Sequence, residues 1–346
     1  MRKFAVMKRK THISHAQIPR MAAYVGITTL LLAFASEAGA QSRDKQRRAQ
    51  VDSLLAARYY RKGGIDTAYL QRPTSKWTIT AKANVSGMKI QTEGNESDNH
   101  FTSEIKSDRK ATISVGVSYV GLSLSLSLNP AKLAGKYHDY EFNFRSYGKR
   151  FGFDFSYQDA KNFTGWHEHD GLGRIDLPTD ILSVKTLNMN AFYVFNHRRF
   201  SYPAAFSQSY IQRRSAGSFL LTVSAQGQQA NLDGEQTSEL EMMNIGIGGG
   251  YGYNYVPAKG WLLHISAQPT FIVYSKTSLT FSDSRVPLRY HFPEAIITGR
   301  SALVRHWGNK FLGMSAVYNF TAIGHKDNLA VHNTKWRVQT FFGVRL

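Results

Sequence analysis

Two groups of residues in the sequence have types and spacing that could do chemistry. The first is His264-Ile265-Ser266, in which an imidazole and a hydroxyl lie two positions apart. On a β-strand, residues two apart point to the same face of the sheet. A histidine placed in this way can act as the base for a serine nucleophile. His264 and Ser266 are therefore candidate catalytic residues.

The residues around this pair favour a simpler interpretation. Trp261, Leu263, Ile265 and Ala267 alternate with His264 and Ser266, so they form an apolar face that we expect to contact lipid. The His-x-Ser pairs of outer-membrane phospholipases and lipid A deacylases work at the lipid face and usually continue with Asn, where this chain has Ala267. We therefore expect His264 and Ser266 to be ordinary polar residues on the face of the strand opposite the lipid. We expect no enzymatic activity.

The second group is Trp166-His167-Glu168-His169-Asp170, which we assign to a polar loop. His167, His169 and Asp170 could hold a divalent cation, since imidazole and carboxylate are common metal ligands. The spacing differs from the His-Glu-x-x-His of zinc hydrolases, and an exposed polar loop tip explains the residues equally. We expect neither a metal nor another cofactor. The glycine-rich run Met242–Tyr253 alternates like a strand, so it is not a nucleotide-binding loop.

The elements that must position these residues are strands. Apolar and polar residues alternate in about twelve segments, for example Leu122, Leu124, Leu126 and Leu128 between serines. Most segments are long enough to cross a bilayer as tilted strands of roughly 9–11 residues. No stretch after the N-terminal region approaches the ~18 apolar residues of a spanning helix.

The connections between the strands point to a barrel. Long polar gaps are predicted at 90–109, 129–139, 158–183, 227–240, 275–291 and 323–333, and most of the others are tight turns. Long outer loops that alternate with short periplasmic turns are typical of outer-membrane barrels. The last segment places Trp336, Val338, Phe342, Val344 and Leu346 on one face, where it could pair with the first strand and leave no open edge. The alternative is a soluble β-sandwich or eight-stranded barrel with a buried apolar face, such as a periplasmic binding protein.

The N-terminus indicates export. A basic stretch is followed by an apolar segment around Leu30-Leu31-Leu32 and by Ala38-Gly39-Ala40. This pattern predicts a signal peptide over 1–40, cleaved between Ala40 and Gln41, with a retained anchor as the alternative. The chain has no cysteine and a net charge of +19, of which the signal region carries +5. A basic exported chain favours anionic lipids or solutes as partners over nucleic acid.

Residues 41–72 form a separate N-terminal segment ahead of the barrel at 73–346. Val51, Leu54, Leu55 and Arg58 have helical spacing, so 41–60 could form a short helix that caps or plugs the barrel, or remain a mobile tail. Asp52-Ser53-Leu54 and Asp66-Thr67-Ala68 match a three-residue O-glycosylation pattern.

One gap breaks the alternation of long and short connections. The sixth, 196–217, should be a short turn but reads NHRRFSYPAAFSQSYIQRRSAG. It could fold into the barrel lumen or dock a periplasmic partner. Alternatively, the flanking strands extend into it and Pro203 makes a bend.

Several of these motifs together resemble a family of Bacteroidota outer-membrane barrels known as domain of unknown function 4421. They are Ile65–Leu70 followed by Lys76-Trp77-Thr78, the segment Ser118–Leu124, and above all Phe195–Phe206 continued by Gln212–Ser218. The resemblance covers about 65–346 and implies an all-β, transmembrane, antiparallel up-and-down barrel in the outer membrane. It also implies that the sixth gap is a family hallmark, whose residues here are Arg198, Arg199, Phe200, Tyr202, Pro203, Arg213 and Arg214.

Three classes of function are open for such a barrel. A narrow pore would use basic lumen residues, for which we predict Lys82, Arg145, Arg305, Lys335 and Arg337. A structural or adhesive envelope protein would act through its loops or periplasmic segments. A barrel-embedded lipid hydrolase would need His264 and Ser266. We expect a non-enzymatic barrel whose partners are outer-membrane lipids, including lipopolysaccharide, and the barrel-assembly machinery during insertion.

Overall fold

A computed structural model describes residues 49–54, 57, 64–96, 99–119, 122–130, 140–161, 163–171, 173–177, 182–232, 238–281, 284–288, 294–325 and 329–346. The predicted signal peptide and its cleavage site at Ala40 and Gln41 lie outside these residues. The chain divides into two units, Met1–Tyr59 and Tyr60–Leu346. In the first unit, residues 49–54 are helical, in agreement with the spacing of Val51 and Leu54. Within the described residues, no helix is long and apolar enough to cross a membrane.

The second unit consists mainly of antiparallel strands. Their bounds are β1 Leu70–Gln71, β2 Trp77–Glu96, β3 Asn99–Ser107, β4 Lys110–Tyr119, β5 Leu122–Leu128, β6 Tyr140–Tyr147, β7 Phe151–Ala160, β8 Phe163–His169, β9 Gly173–Leu177, β10 Leu182–Val194, β11 Ile211–Gln212, β12 Ala216–Leu232, β13 Ser238–Tyr255, β14 Trp261–Phe281, β15 Ser284–Leu288, β16 Ala295–Trp307, β17 Lys310–His325 and β18 Leu329–Arg345. A short helix, Tyr202–Phe206, lies between β10 and β11.

Twelve of these strands form one curled antiparallel sheet. Neighbours in it follow the order β6, β7, β10, β12, β13, β14, β16, β17, β18, β2, β4 and β5. Four short strands add to this sheet: β3, β8 and β9 continue the hairpin that β2 begins, and β15 pairs with β14. The remaining two, β1 and β11, form a separate two-stranded sheet. The predicted all-β, up-and-down barrel of about twelve strands is therefore confirmed.

The first long strand and the last pair along nearly their whole lengths. The β2–β18 ladder extends from Leu329 opposite Gly94 to Arg345 opposite Thr78, and the Leu346 amide donates to the Trp77 carbonyl at 2.9 Å. This pairing gives both strands a partner on each side and joins the two ends of the chain within one sheet, in which β5 pairs with β4 and β6 with β7 among the described residues. The predicted pairing of the last strand with the first is correct.

The two faces of the sheet differ as the alternation predicts. On β14, Leu263 and Ile265 are exposed on the outer face, while Leu262, His264 and Ser266 are buried in the lumen. Large exposed apolar side chains occur on the outer face of every one of the twelve strands whose side chains are described, among them Ile113, Phe142, Phe219, Val273 and Leu312. The molecule therefore has an apolar exterior and a largely polar interior.

Several predicted loops are instead strands. The gap at 158–183 contains β8 and β9, the gap at 90–109 is mostly the β2–β3 hairpin, and β17 and β18 extend into the gap at 323–333 until only 326–328 separates them. These segments are polar because they lie beyond the apolar belt, yet antiparallel pairing still satisfies their backbone groups. The polarity of a segment therefore does not predict where a strand ends.

The lumen side of the sheet has an apolar cluster at the end where β2 meets β3. It consists of inward side chains from nine strands: Met88, Ile90, Ala160, Phe163, Leu182, Val184, Met242, Ile272, Ile296, Ile323 and Val331. We call it the upper cluster. The 196–215 segment lies at the opposite end of the strands, which we call the lower end.

Candidate functional site

The sixth connection folds back into the lumen, and we call residues 196–215 the plug. Its helix starts after Ser201, whose Oγ accepts a hydrogen bond from the Ala204 amide at 3.3 Å. Pro203 occupies the first turn, where its missing amide hydrogen costs nothing. At the far side of the plug, β11 pairs with β1 of the N-terminal segment. The interpretation of 196–217 as a lumenal segment is therefore the correct one of the two.

Aromatic packing holds the plug helix against the barrel wall. The Tyr202 ring lies 4.6 Å from the ring centroid of Phe192 on β10, 4.9 Å from His264 on β14 and 5.4 Å from Phe206. Phe200 and Tyr202 are essentially inaccessible to solvent. Ala204 and Ala205 pack against inward side chains of β14, β16, β17 and β18, which are Leu262, Ala302, Val304, Phe311 and Phe341. The plug therefore touches opposite parts of the sheet.

A buried chain of hydrogen bonds ties the plug to three strands. Arg300 Nη1 donates to Gln268 Oε1 at 2.6 Å, and Gln268 Nε2 donates to the Tyr202 hydroxyl at 3.2 Å. Tyr202 and Ser266 share a hydrogen bond of 2.6 Å, and Ser266 Oγ lies 3.0 Å from His264 Nε2. His264 Nδ1 is 2.7 Å from Asn254 Oδ1.

The far end of this chain fixes the directions of its hydrogen bonds. Asn254 Nδ2 donates to the Ser201 carbonyl and to Gln212 Oε1, both at 2.9 Å, so its Oδ1 is an acceptor. His264 then carries its proton on Nδ1, Ser266 donates to His264 Nε2, and Tyr202 donates to Ser266. Every bond points the same way, from Arg300 to the plug backbone. Chains aligned in this manner polarise one another and are strengthened in a low-dielectric interior.

The order Asn254, His264, Ser266 is also that of a hydrolytic triad, in which a third group orients the base. The surroundings do not fit that use. His264 is 2% and Ser266 5% exposed, and the Ser266 hydroxyl is already hydrogen-bonded to the Tyr202 hydroxyl. Burial raises the pKa of Tyr202, so this hydroxyl keeps its proton and remains a donor. The two residues anchor the plug.

An ion pair extends the network to the other side of the lumen. Arg300 on β16 is 4% exposed, and its Nη2 donates to Asp154 Oδ2 on β7 at 2.6 Å and to Asn190 Oδ1 at 3.3 Å. Asp154 also accepts a hydrogen bond from the Tyr147 hydroxyl. A buried guanidinium needs such partners, because an unpaired charge in the interior is costly.

A second group of charges also crosses the lumen. Arg337 on β18 donates to Glu141 Oε1 on β6 at 2.6 Å, and Lys110 on β4 lies 3.1 Å from Glu141 Oε2. Neutral side chains bridge the walls as well, since Asn333 donates to Gln228 at 2.8 Å and Thr321 to Gln226 at 2.9 Å. A cavity of about 80 Å³ remains in this polar layer, lined in part by Arg145, Arg300, Lys335 and Arg337.

The predicted lumen residues can now be located. Arg145, Lys335 and Arg337 line the polar layer, and Lys82 is an inward residue of β2. The assignment of Arg305 to the lumen is wrong, because Arg305 shares the outer face of β16 with Leu303 and Trp307. Its guanidinium stacks 5.0 Å from the Trp261 ring and donates to the Lys259 carbonyl. An arginine at the end of a strand can place its charge in water beyond the apolar belt.

Two of the three candidate metal ligands belong to a strand, and Asp170 lies in the turn that follows it. His167 and His169 lie on β8 with ring centroids 6.5 Å apart. His169 Nδ1 is 2.7 Å from the Asp170 carbonyl, and the Asp170 carboxylate accepts the His100 amide at 3.2 Å. The described residues contain no group of three or more His, Cys, Asp or Glu able to hold a metal ion. The contacts of His169 and Asp170 instead join β3 to β8.

The hallmark arginines lie on the exposed side of the plug. Arg199 Nε is 3.2 Å from Asp66 Oδ2, and the guanidinium groups of Arg199 and Arg214 lie 5.1 and 6.0 Å from the Tyr69 ring. Arg198 and Arg213 are exposed as well. Sequence reasoning missed Asn254, Gln268, Arg300 and Asp154, which stand at inward positions of β13, β14, β16 and β7.

The fold and its buried network define the chain as an up-and-down β-barrel whose lumen holds a segment of its own sequence. It belongs to the family described as Domain of unknown function (DUF4421), whose model matches residues 64–346. That match includes the plug, all twelve barrel strands and the β1 segment. No curated protein matches the chain.

Solved structures similar to the chain include three bacterial outer-membrane proteins. The outer-membrane protease OmpT of Escherichia coli is 7% identical, with a TM-score of 0.46 over 80% of this chain and 98% of its own. The translocator domain of the autotransporter NalP of Neisseria meningitidis is 9% identical, with a TM-score of 0.26 over 87% of this chain and 98% of its own. OprG of Pseudomonas aeruginosa is 8% identical, with a TM-score of 0.28 over 79% of this chain and 97% of its own.

Proposed function

We propose that the protein is a non-enzymatic barrel of the outer membrane whose lumen is closed by its own plug, and that its role in the cell envelope is structural. The observation that carries the proposal is the combination of an apolar exterior with a filled interior. In this proposal the N-terminal signal peptide directs export, the barrel-assembly machinery inserts the chain, and membrane lipids, including lipopolysaccharide, surround it.

The exterior supports a membrane location. Phe219 and Ile265 are 70% and 67% exposed on the outer face, and similar side chains continue around the sheet. In water, an apolar belt of this extent would be far larger than the patches that soluble proteins expose. Aromatic side chains stand at its lower edge, including Trp77, Tyr255, Trp261 and Trp307, where an interfacial girdle is expected.

The interior supports a closed lumen. The plug is anchored at the lower end, ion pairs cross the middle, and the upper cluster brings apolar side chains together at the other end. A solute would have to displace at least one of these layers. The polar cavity between them favours gated passage of an anion as the second candidate function, since Arg145, Arg300, Lys335 and Arg337 line it.

The buried position of Ser266 supports a non-enzymatic role. Its hydroxyl is shared between His264 and Tyr202, so a nucleophilic attack would first require removal of the plug. Purified wild-type protein should therefore release no fatty acid from phospholipid or lipopolysaccharide, with no difference between wild type and Ser266→Ala. Release that Ser266→Ala abolishes would establish a lipid hydrolase instead.

Three measurements test the barrel and its closure. The full-length protein should fractionate with outer membranes and change its mobility on a detergent gel only after heating. In planar lipid bilayers the wild type should be silent. Tyr202→Ala removes the ring and the hydroxyl that hold the plug, so hydrogen exchange of residues 196–215 should accelerate, while the ion pairs and the upper cluster keep this variant silent in bilayers. Tyr251→Ala on the outer face is the matched control and should leave the exchange of the plug unchanged. Steady conductance by the wild type would rule out a closed lumen.

A further inference from the structure

The lower rim of the barrel carries a group of cations contributed by three separate segments. They are Arg72 before β2, Lys149 and Arg150 in the β6–β7 turn, and Arg198 at the start of the plug, beside the imidazole of His197. We call them the rim cluster. Arg150 Nε donates to His197 Nε2 at 3.2 Å, which joins the turn to the plug. The Val194 amide donates to the Arg150 carbonyl at 2.7 Å and fixes the turn beside the end of β10.

The charges of the rim cluster act on one another. Burial and the charges of Arg150, Arg72 and Arg198 lower the pKa of Lys149. Burial and the charges of Arg150 and Lys149 lower the pKa of His197. Repulsion among these like charges raises the free energy of the protein without a bound anion, and a bound anion would relieve that repulsion.

Contacts with the plug hold the cluster in position. Arg72 Nη2 donates to the Tyr210 hydroxyl at 2.5 Å, and its guanidinium lies 4.6 Å from the Tyr210 ring. The Arg198 carbonyl accepts the Asp66 amide at 2.8 Å. The Asp66 carboxylate accepts hydrogen bonds from Arg199 and from the Ala68 amide. It therefore pairs with Arg199, which is not part of the rim cluster. The cations are thus arranged before any ligand arrives.

An apolar surface adjoins the rim cluster on the outside of the barrel. Phe151 follows Arg150 directly and is 67% exposed, and Phe195 precedes His197 by two residues and is 57% exposed. Tyr193 lies between them, 5.1 Å from the Phe151 ring and 5.2 Å from the Phe195 ring. A cationic group above an aromatic surface matches the shape of an amphiphile, with an anionic head and a hydrocarbon tail.

We propose that the rim cluster binds the phosphate of an anionic phospholipid in the inner leaflet, with an acyl chain against Phe151, Tyr193 and Phe195. This inference rests on the proposed function, which places the lower end of the barrel at the periplasmic surface of the outer membrane. The cluster then selects one lipid class at one side of the barrel, and the lipid anchors the turn and the plug together.

The test compares the lipids retained by two variants of equal charge. Wild-type protein in mixed vesicles of phosphatidylglycerol and phosphatidylcholine is extracted, and its bound lipids are counted by native mass spectrometry. The wild type should be enriched in phosphatidylglycerol. The variant Lys149→Gln/Arg150→Gln/Arg198→Gln should lose this enrichment by roughly tenfold or more, since each cation near an anionic surface contributes about fivefold. The control Lys259→Gln/Arg305→Gln/Lys310→Gln removes three cations elsewhere on the same rim and should keep the enrichment.

Four results would overturn the inference. One is equal retention of the two lipids by the wild type, and another is equal loss in both variants, which would indicate a general field instead of a site. A third is displacement of the lipid by millimolar inorganic phosphate, which would identify a site for free phosphate. The last is capture of an acidic periplasmic protein in place of the lipid. A wild type that is heat-modifiable and silent in bilayers but retains neither lipid selectively would contradict this inference alone, whereas an unfolded or conducting wild type would contradict the proposed function.

Discussion

The two ends of the lumen are closed by different chemistry. At the lower end a separate segment enters the barrel and is held by directed hydrogen bonds, with Tyr202, Ser266 and His264 at their centre. At the upper end the strands themselves supply the closure, through apolar side chains such as Ile272 and Ile296. The lower closure depends on hydrogen-bond partners for particular polar groups. The upper closure depends on the volume of apolar side chains and on the surface area that they bury.

This difference predicts different responses to substitution. Removing one partner of a buried polar network leaves the other unsatisfied, and a charge left in this way is costly. Removing part of an apolar cluster costs transfer free energy and a cavity, which neighbours can partly fill. Closure by polar groups therefore allows fewer alternative arrangements than closure by packing.

The largest effect is expected for Asp154→Ala. Arg300 is 4% exposed and would lose the carboxylate on which its charge depends. The free energy of unfolding should fall by about 3–5 kcal/mol. Guanidinium unfolding of the vesicle-inserted protein, followed by tryptophan fluorescence, measures this change. A loss below about 1 kcal/mol would show that Arg300 finds other partners.

At the upper end, Ile272→Ala should lower the free energy of unfolding by about 2–5 kcal/mol, because Ile272 is fully buried in the upper cluster. Ile272→Val should cost only about 0.5–1.5 kcal/mol. The same unfolding measurement applies, with Val273→Ala on the outer face of the same strand as the control. If Ile272→Val lowered the free energy of unfolding as much as Ile272→Ala, the shape of the side chain, rather than its volume, would decide the stability of the upper cluster.

A smaller effect separates the hydroxyl of Tyr202 from its ring. Tyr202→Phe keeps the aromatic packing but removes the donor to Ser266 Oγ and the acceptor of Gln268 Nε2. We expect a loss of about 1–3 kcal/mol in the free energy of unfolding. The plug should stay in place, so hydrogen exchange of residues 196–215 should remain slow in this variant while it accelerates in Tyr202→Ala. Equal acceleration in both variants would mean that the hydrogen bond, more than the ring, holds the plug.

The smallest effect concerns Glu104 on β3, beyond the apolar belt. The hydrogen bond from Lys106 is the main cause that lowers the pKa of the Glu104 carboxyl below 4.5, and Lys89 lowers it further. Because the folded pKa is depressed, the stabilisation is present above the unfolded value and is lost as pH falls through the folded one. Lys106 is largely exposed, so the gain is at most about 1 kcal/mol. The protection factors of β3 and β8 against hydrogen exchange should therefore fall in the wild type as pH drops below the ordinary glutamate pKa of about 4.3, and Glu104→Gln should remove this pH dependence.

The fold was largely readable from the sequence because alternation reports directly which face of a strand contacts lipid. The twelve strands, the pairing of the last with the first, and the inward direction of His264 and Ser266 all follow from it. Alternation does not report where a ladder ends, so β8 and β9 were assigned to loops. It also misleads at strand ends, where Arg305 reaches water from the outer face.

The site was less predictable for a physical reason. The segment 196–217 was conspicuous because it breaks the pattern and contains Pro203. Its partners were not, because an inward position of a barrel accepts polar and apolar residues alike. Asn254 lies opposite His264 and Arg300 opposite Ser266 in the ladders of neighbouring strands, so their meeting depends on a register that alternation does not reveal. Asp154 on β7 meets Arg300 on β16 only across the lumen, and no spacing in the sequence encodes that contact.

The β2–β18 seam also sets an order of events in folding. It pairs Thr78 with Arg345, so nearly the whole barrel sequence lies between the two partners. Pairing across such a separation carries a large loop-closure entropy and is slow compared with the local hairpins. The β10–β12 hairpin, which carries the plug, joins residues close in sequence. We therefore expect the hairpin that carries the plug to form before the β2–β18 pairing.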